Sequence, residues 1–177
     1  CSMNTVRLTA ETGRLDWISD TYDDDLPYWM EVGDHDQLVI PYTLEANDMR
    51  FATAPGYITG EQFFQYLKDS FDTLYAEGAE GRGKMFSIGL HNRLIGRPGK
   101  FAGLKKFLDY ALSHDGVWFA RRGDIAGHWR KTHPHKRFRR PSQMPREEFV
   151  ARFGSIFEHS PWIAERAWEL ELGPAHD

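Results

Sequence analysis

The chain has 177 residues, of which 41% are hydrophobic, 14% aromatic and 27% charged, a composition typical of a globular protein. No apolar run approaches the ~20 residues that a membrane-spanning helix needs, so the sequence argues against a membrane role. The formal net charge is −4, yet residues 131–146 carry six Lys or Arg and no Asp or Glu, which leaves −10 for the rest. That basic stretch holds one aromatic residue, Phe138, and we interpret it as a connector rather than a nucleic-acid site.

The number of cysteines and the first residues of the chain indicate the cellular compartment. The only cysteine, Cys1, excludes an intramolecular disulfide and any Cys-based zinc site, which fits a reducing compartment and predicts a cytoplasmic location. The opening residues lack the basic start, apolar centre and cleavage site of a signal peptide. Because the chain does not begin with Met, we expect an internal piece of a longer protein.

Buried strands and one long helix are predicted in the first half. The apolar runs RLDWIS (14–19) and QLVIPY (37–42) indicate strands. Thr59 is a candidate N-cap for a helix from Gly60 to about Ala76. The apolar face of that helix consists of Phe63, Phe64, Leu67, Phe71, Leu74 and Tyr75. This helix needs a sheet beneath it, since burial of six side chains does not offset its backbone entropy.

Alternating strands and helices continue to residue 131. KMFSIGLH (84–91) and GVWFAR (116–121) indicate strands, each followed by a helix, over about 100–113 and 123–131. Repeated βα units predict an α/β fold with a mainly parallel sheet, open or curled into a barrel, and functional residues at the carboxyl ends of the strands.

The remaining residues divide into a linker and a helical segment. THPHKRFRRPSQMP (132–145) has little apolar periodicity and predicts a linker between a domain of residues 1–131 and one of 146–177. Pro145 then suits a first helical position, and the following apolar stripe contains Phe149, Phe153, Ile156 and Phe157. Ser160 and Pro161 predict the start of a second helix.

The densest candidate site is GLHNRLIGRPG (89–99), in which His91 ends a strand. An imidazole at a strand end can work as an acid or base over a pocket, because its ordinary pKa lies near neutrality. The alternative is a histidine that packs under a loop, and we favour the functional interpretation modestly.

A second cluster, SDTYDDDLPYW (19–29), places four carboxylates after a strand. Asp20 lies nearest the strand, and we take it as a candidate for proton transfer. For Asp23, Asp24 and Asp25 we favour a solvated acidic loop in which one Asp caps a turn.

A third cluster, PYTLEANDMRF (41–51), delivers Glu45, Asn47, Asp48 and Arg50 into a loop that can hydrogen-bond a polar planar ligand. Structural turn capping by Asn47 and Asp48 is an equally good interpretation.

His133 and His135 resemble a pair of metal ligands. The sequence offers no third ligand at helical spacing, so we expect both to be solvated and predict no bound metal from this pattern.

The stretch from about Thr12 to His133 resembles the C-terminal half of the polysaccharide-deacetylase-like (NodB-homology) allantoinases of urate catabolism. SDTYDDDLPYW, IPYTLEANDMRF, GLHNRLIGRPGK and FLDYALSHDGVWFARRGDIAGHW carry the resemblance, in the expected order. It implies the C-terminal part of a distorted (β/α) barrel, a homo-oligomeric parent protein, and a small ureide substrate, allantoin, hydrolysed to allantoate.

The resemblance also implies roles for individual residues. His91 matches the late histidine motif of the deacetylase superfamily and is expected to act as an acid or base, with Asp20 orienting water or the imidazole. Glu45, Asn47, Asp48 and Arg97 are expected to bind the ureide. The superfamily's early Asp and His-x-x-x-His metal motif is not in this sequence, and the allantoinase branch departs from the metal-using pattern, so no cofactor is expected.

The final segment, PREEFVARFGSIFEHSPWIAERAW (145–168), resembles the start of OHCU decarboxylase, the enzyme that converts 2-oxo-4-hydroxy-4-carboxy-5-ureidoimidazoline into allantoin. The FEHSPW motif makes Glu158 and His159 signature residues of that family. A fused parent is then expected, because the product of one enzyme is the substrate of the other. Such an enzyme is cytoplasmic, or peroxisomal in a eukaryote.

Two alternatives remain open at this stage. One is a carbohydrate N-deacetylase, which has the same barrel and requires a divalent metal. The other is a noncatalytic interaction or oligomerisation module, because a half barrel has unpaired strand edges that attract partners.

Overall fold

The computed structural model describes residues 4–137, 139–156, 158–170 and 173. Within these residues the elements are α1 (Thr5–Thr12), β1 (Tyr28–Val32), β2 (His35–Val39), α2 (Gly60–Ala79), α3 (Asn92–Ile95), α4 (Pro98–Leu112), α5 (Arg122–Thr132), α6 (Arg146–Phe153) and α7 (Pro161–Glu169). Short 3-10 turns occupy Asp48–Phe51 and Pro141–Gln143. The chain divides into two compact units, Cys1–His135 and Lys136–Asp177. None of the described helices is both long and apolar enough to cross a bilayer.

Helix α2 starts where its sequence predicts. Thr59 Oγ accepts from the Gln62 N–H while Gln62 Oε1 accepts from the Thr59 N–H, and this capping box satisfies two backbone donors at the helix start. The buried face holds four of the six predicted residues, Phe63, Phe64, Leu67 and Phe71. Leu74 is only half-buried and Tyr75 is exposed, because the core ends before the last turns of the helix.

The main core of the first unit lies between α2, α4 and the extended segments beside them. Phe107 and Leu104 of α4 pack with the buried face of α2, and Ala46 and Ile95 close the cluster. The two helices approach so closely that a Cβ at Gly103 would lie 2.0 Å from the Gly60 carbonyl oxygen. Only glycine permits this backbone contact.

A β-hairpin that the sequence analysis did not predict precedes α2. Strands β1 and β2 pair antiparallel, with Tyr28 opposite Val39 and Val32 opposite His35. Gly33 in the turn has φ +60°, a conformation that glycine adopts without strain. The Gly33-Asp34 dipeptide between two β-prone runs was the signal that could have revealed β1, a segment to which the sequence analysis assigned no element.

The predicted parallel sheet is present only as short contacts. Ile18 bridges Val39 and Asn47 bridges Gly89, both in parallel orientation, whereas 84–91 and 116–121 form no regular strand among the described residues. One reason is that side chains replace ladder bonds: the Ser87 N–H donates to Thr43 Oγ at 3.0 Å. The segment order is as predicted, and the predicted strand 37–42 overlaps β2, but 14–19, 84–91 and 116–121 are not regular strands among the described residues.

The second unit consists of two short helices around a small core. Met144, Phe149 and Ala164 are buried together, and Trp168 Nε1 donates to the Met144 carbonyl at 2.9 Å. Met144 thus belongs to this core although the sequence placed it in the linker. Ile156 is 65% exposed, because α6 ends at Phe153 and the predicted stripe does not continue. Phe157, the last member of that stripe, lies outside the described residues.

The close approach of α2 and α4 gives a stability prediction. Gly103→Ala should lower the free energy of unfolding by about 1–3 kcal/mol, because the new methyl group meets a backbone oxygen that cannot rotate away. Gly127→Ala in α5 is the matched control: nothing lies within 4 Å of its Cβ position. It should raise stability by up to ~1 kcal/mol through helix propensity. Urea denaturation of both variants checks this, and a stabilised Gly103→Ala would contradict the packing described.

Candidate active site

A buried carboxylate and a half-exposed imidazole form the centre of the site. Asp48 Oδ1 lies 2.7 Å from His91 Nδ1, and Asp48 itself is fully buried. Its other oxygen, Oδ2, accepts from the His91 N–H at 2.8 Å and from the Ile95 N–H at 3.1 Å. Asp48 therefore fixes the His91 ring and holds both ends of α3, whose N-cap is His91 and whose last residue is Ile95.

Local backbone geometry brings the two residues together from 43 positions apart. The Asp48 N–H donates to the Gly89 carbonyl at 3.0 Å, and the Gly89 N–H donates to the Ala46 carbonyl at 2.8 Å. A Cβ at Gly89 would lie 1.8 Å from the Tyr42 hydroxyl, so glycine is required where the two segments cross. The Asn47 amide donates to that hydroxyl, while Asn47 Oδ1 accepts from the Met49 N–H at 2.8 Å.

The tautomer of His91 follows from its partner. Asp48 accepts hydrogen bonds from two backbone N–H groups, so it is an acceptor toward the imidazole as well. The hydrogen between Asp48 Oδ1 and His91 Nδ1 is therefore carried by Nδ1. Nε2 is then the ring nitrogen with a free lone pair. The His91 side chain is 32% exposed and lines a cavity.

A cavity of about 410 Å³ adjoins the imidazole. It is lined by Leu44, Glu45, Asn47, Met49, Arg50, Thr53 and His91. Two contacts position the Arg50 guanidinium. One of its nitrogens donates to the Pro55 carbonyl at 3.1 Å, and its central carbon lies 5.9 Å from the Tyr57 ring centre. Burial raises the pKa of Tyr57 to about 12, so its phenol is uncharged beside Arg50 at neutral pH. The cavity thus combines an acid or base with one carboxylate, one guanidinium and one amide.

Some of the predicted site residues line this cavity and others do not. Glu45, Asn47 and His91 share the cavity, and Arg50, which the sequence analysis noted only as part of the loop, joins them. Asp48 is fully buried and bonded to His91, so it positions the imidazole instead of contacting a ligand. Asp20 and Arg97 are exposed and do not line the cavity. The sequence signal for Arg50 was its position three residues after Asn47 in the same loop.

The acidic loop behaves as the structural interpretation predicts. Asp24 Oδ1 accepts from the N–H groups of Asp25 and Leu26 at 2.7 and 3.0 Å, which is a turn-capping role. The Tyr28 hydroxyl lies 3.1 Å from Asp23 Oδ1. Asp23, Asp24 and Asp25 are all exposed.

The prediction that His135 is solvated is wrong. Its side chain is only 16% exposed, and Nε2 lies 3.2 Å from Glu31 Oε1 and 3.4 Å from Asp36 Oδ1 of the hairpin. His133 is exposed and stacks on Trp129 with ring centres 3.9 Å apart. In the described part of the chain, no group of three or more His, Cys, Asp or Glu residues is placed to hold a metal ion.

In the second unit, the side chains of Glu158 and His159 are almost fully exposed, and Glu158 Oε1 lies 3.6 Å from His159 Nε2. His159 has φ +54°, an uncommon conformation for a residue with a side chain. Ser160 precedes α7 without a side-chain cap, and Pro161 occupies the first helical position.

Comparison with known proteins gives the class of the fold. No protein-family model matches the chain. A Schizosaccharomyces pombe protein described as a polysaccharide deacetylase is 49% identical over 149 residues, covering 76% of this chain and 47% of that protein. A Pseudomonas aeruginosa PAO1 structure described in the same way is 59% identical with a TM-score of 0.73, covering 76% of this chain and 45% of that one. The matched part of this chain therefore has the polysaccharide deacetylase (NodB-like) fold.

A further solved structure narrows the comparison. PuuE allantoinase is 56% identical with a TM-score of 0.74, covering 77% of this chain and 45% of that one. A Mycobacterium smegmatis structure described as a polysaccharide deacetylase is 26% identical with a TM-score of 0.63, covering 78% and 50% of the two chains. The present chain spans about half the length of the proteins that it matches.

The buried carboxylate leads to a prediction about the tautomer of His91. In the unaltered protein, nitrogen-15 NMR of the imidazole should show hydrogen on Nδ1 of the neutral ring. In Asp48→Asn the amide oxygen is expected to face the two backbone N–H groups, which turns the NH₂ toward the ring and moves the hydrogen to Nε2. The exposed Asp109→Asn is the matched control and should leave His91 unchanged. Hydrogen on Nε2 in the unaltered protein would contradict the geometry.

Proposed function

We propose that the protein containing this chain hydrolyses the cyclic amide of allantoin to allantoate. The observation that carries the proposal is the bond between buried Asp48 and His91, which leaves Nε2 as a base beside a polar cavity. Identity of 56% to PuuE allantoinase supports a cyclic ureide as the substrate.

The chemistry needs one group that first accepts and then donates a proton. His91 Nε2 takes a proton from water as the water oxygen adds to the ring carbonyl carbon. The C–N bond then breaks, and Nε2 returns the proton to the departing nitrogen. Asp48 stabilises the imidazolium formed between these steps, because a carboxylate at Nδ1 favours the charged ring.

The cavity wall supplies groups suited to a planar ureide. The Arg50 guanidinium and the Asn47 amide can donate to carbonyl oxygens, and the Glu45 carboxylate can accept from ring or ureido N–H groups. Asp20 and Arg97 have no part in this proposal, since neither lines the cavity.

The competing carbohydrate N-deacetylase requires a divalent metal. His91 and Glu45 are the cavity's two candidate ligands, whereas protein metal sites are built from three or more. The described residues do not by themselves fit a metal, and no step above passes through one.

The proposal predicts the outcome of one substitution. His91→Ala in the natural full-length protein should lower turnover of allantoin by about 10²-fold or more, the usual loss when a general acid or base is removed. His128→Ala, which alters an exposed histidine of α5, is the matched control and should remain active. Steady-state kinetics with equal folded protein, checked by circular dichroism, measures both.

Substrate choice separates the two enzyme classes. Purified protein is assayed on allantoin and on chitin oligomers, each with and without chelator. Hydrolysis of allantoin supports the proposal. Release of acetate from chitin oligomers with no turnover of allantoin supports the deacetylase and contradicts it.

We propose further that the second unit is the beginning of an OHCU decarboxylase. The FEHSPW motif supports this. The product of such an enzyme is allantoin, so the two proposals describe consecutive steps. Incubation of the full-length protein with freshly generated OHCU should release carbon dioxide faster than the uncatalysed reaction, and an unchanged rate would refute this second proposal.

A further inference from the structure

Arg122, the first residue of α5, lies where three extended segments end. One of its terminal nitrogens, Nη1, donates to Ser19 Oγ at 2.6 Å and to the Ile40 carbonyl at 2.9 Å. The other, Nη2, lies 3.2 Å from Ser87 Oγ. The guanidinium is thus fixed by neutral oxygens from three separate parts of the first unit.

The charge of this guanidinium is not balanced by a carboxylate within the described residues. All of its hydrogen-bond partners are neutral, and the ring of Tyr42, 6.0 Å away, is its aromatic contact. Burial lowers the pKa of Arg122, although arginine keeps its charge at any physiological pH. A partly buried cation without a counter-ion is costly, so the site favours an anion.

A cavity of about 300 Å³ lies against this cation. Met85, Phe86, Ile88 and Ile125 give it apolar walls. Its polar side chains are those of Arg122, Ser87 and Tyr42.

These three polar groups each have a hydrogen to donate. Arginine has five N–H groups and no acceptor, and the bonds described above leave at least one of them free. Ser87 Oγ accepts from Arg122 and Tyr42 Oη accepts from Asn47, so each hydroxyl can direct its own hydrogen elsewhere. A cavity with three donors and a net positive charge is complementary to an anion with several acceptor oxygens.

We propose that this cavity is a binding site for a small aliphatic carboxylate. The carboxylate oxygens accept from Arg122, Ser87 and Tyr42, and the aliphatic part contacts the apolar walls. A carboxylate fits because one guanidinium balances a single negative charge, and Met85, Phe86, Ile88, Ala120 and Ile125 can contact its aliphatic part. Tyr42 also bonds Asn47, which lines the His91 cavity, so the two sites are neighbours. The proposal does not depend on the proposed hydrolysis.

Acetate titration of the full chain tests the proposal. Protein with nitrogen-15 arginine is titrated with acetate at constant ionic strength, with chloride and the neutral isostere acetamide as control solutes. We expect saturable, one-to-one binding of acetate that shifts the Arg122 Nε resonance, and a weaker response to both controls. Arg122→Gln should weaken binding at least about tenfold, as expected for loss of a charged, hydrogen-bonded partner.

Matched variants keep the result interpretable. Arg7→Gln, which alters an exposed arginine of α1, should leave acetate affinity unchanged. If Arg122→Gln does not fold, Arg122→Lys and Ser87→Ala decide: both should weaken acetate binding. A response to acetate no larger than that to chloride, or unchanged affinity in the folded Arg122 and Ser87 variants, would overturn the proposal.

Discussion

The structure of the candidate active site depends on one buried carboxylate. Asp48 is fully enclosed, and a carboxylate in that position is tolerated only when its oxygens are satisfied. His91 and Ile95 supply the donors, so the bonds that satisfy the buried carboxylate also set the ring orientation and hold the two ends of α3. Loss of Asp48 would therefore disturb the local backbone and the imidazole together.

The short helix and the loop around Asp48 explain why so few residues shape the cavity. Asn47 caps its own 3-10 turn and reaches Tyr42, which fixes the loop that also carries Glu45 and Arg50. Gly89 allows the second segment to pass close against the side chains of Tyr42 and Asn47. The cavity beside His91 is thus a product of two crossing segments, and the helices α2 and α4 pack behind them.

Local sequence signals predicted the elements whose stability is local. The N-cap candidate Thr59 and the apolar spacing of α2 located that helix, and His91 was correctly placed at the end of an extended segment. Pairing between distant segments was less predictable, because the contact of Asn47 with Gly89 depends on neighbours that lie far away in sequence. For the same reason Asp48 was taken for a ligand-binding residue: nothing in NDMRF shows that its carboxylate is buried under a helix 43 residues later. His135 was misjudged likewise, since its two carboxylate partners belong to a hairpin about 100 residues earlier.

The fold and the site together connect this chain to two chemistries. The polysaccharide deacetylase fold is common to the proteins that it matches, whereas the groups in the cavity beside His91 are those on which we base the proposal of a ureide substrate. The most direct test of the account is a double-mutant cycle on allantoin hydrolysis by the full-length protein. If Asp48 acts through His91, Asp48→Asn should slow the unaltered enzyme but leave the His91→Ala variant no slower than before. An equal loss from Asp48→Asn in both backgrounds would show that the two residues act independently and would contradict the account.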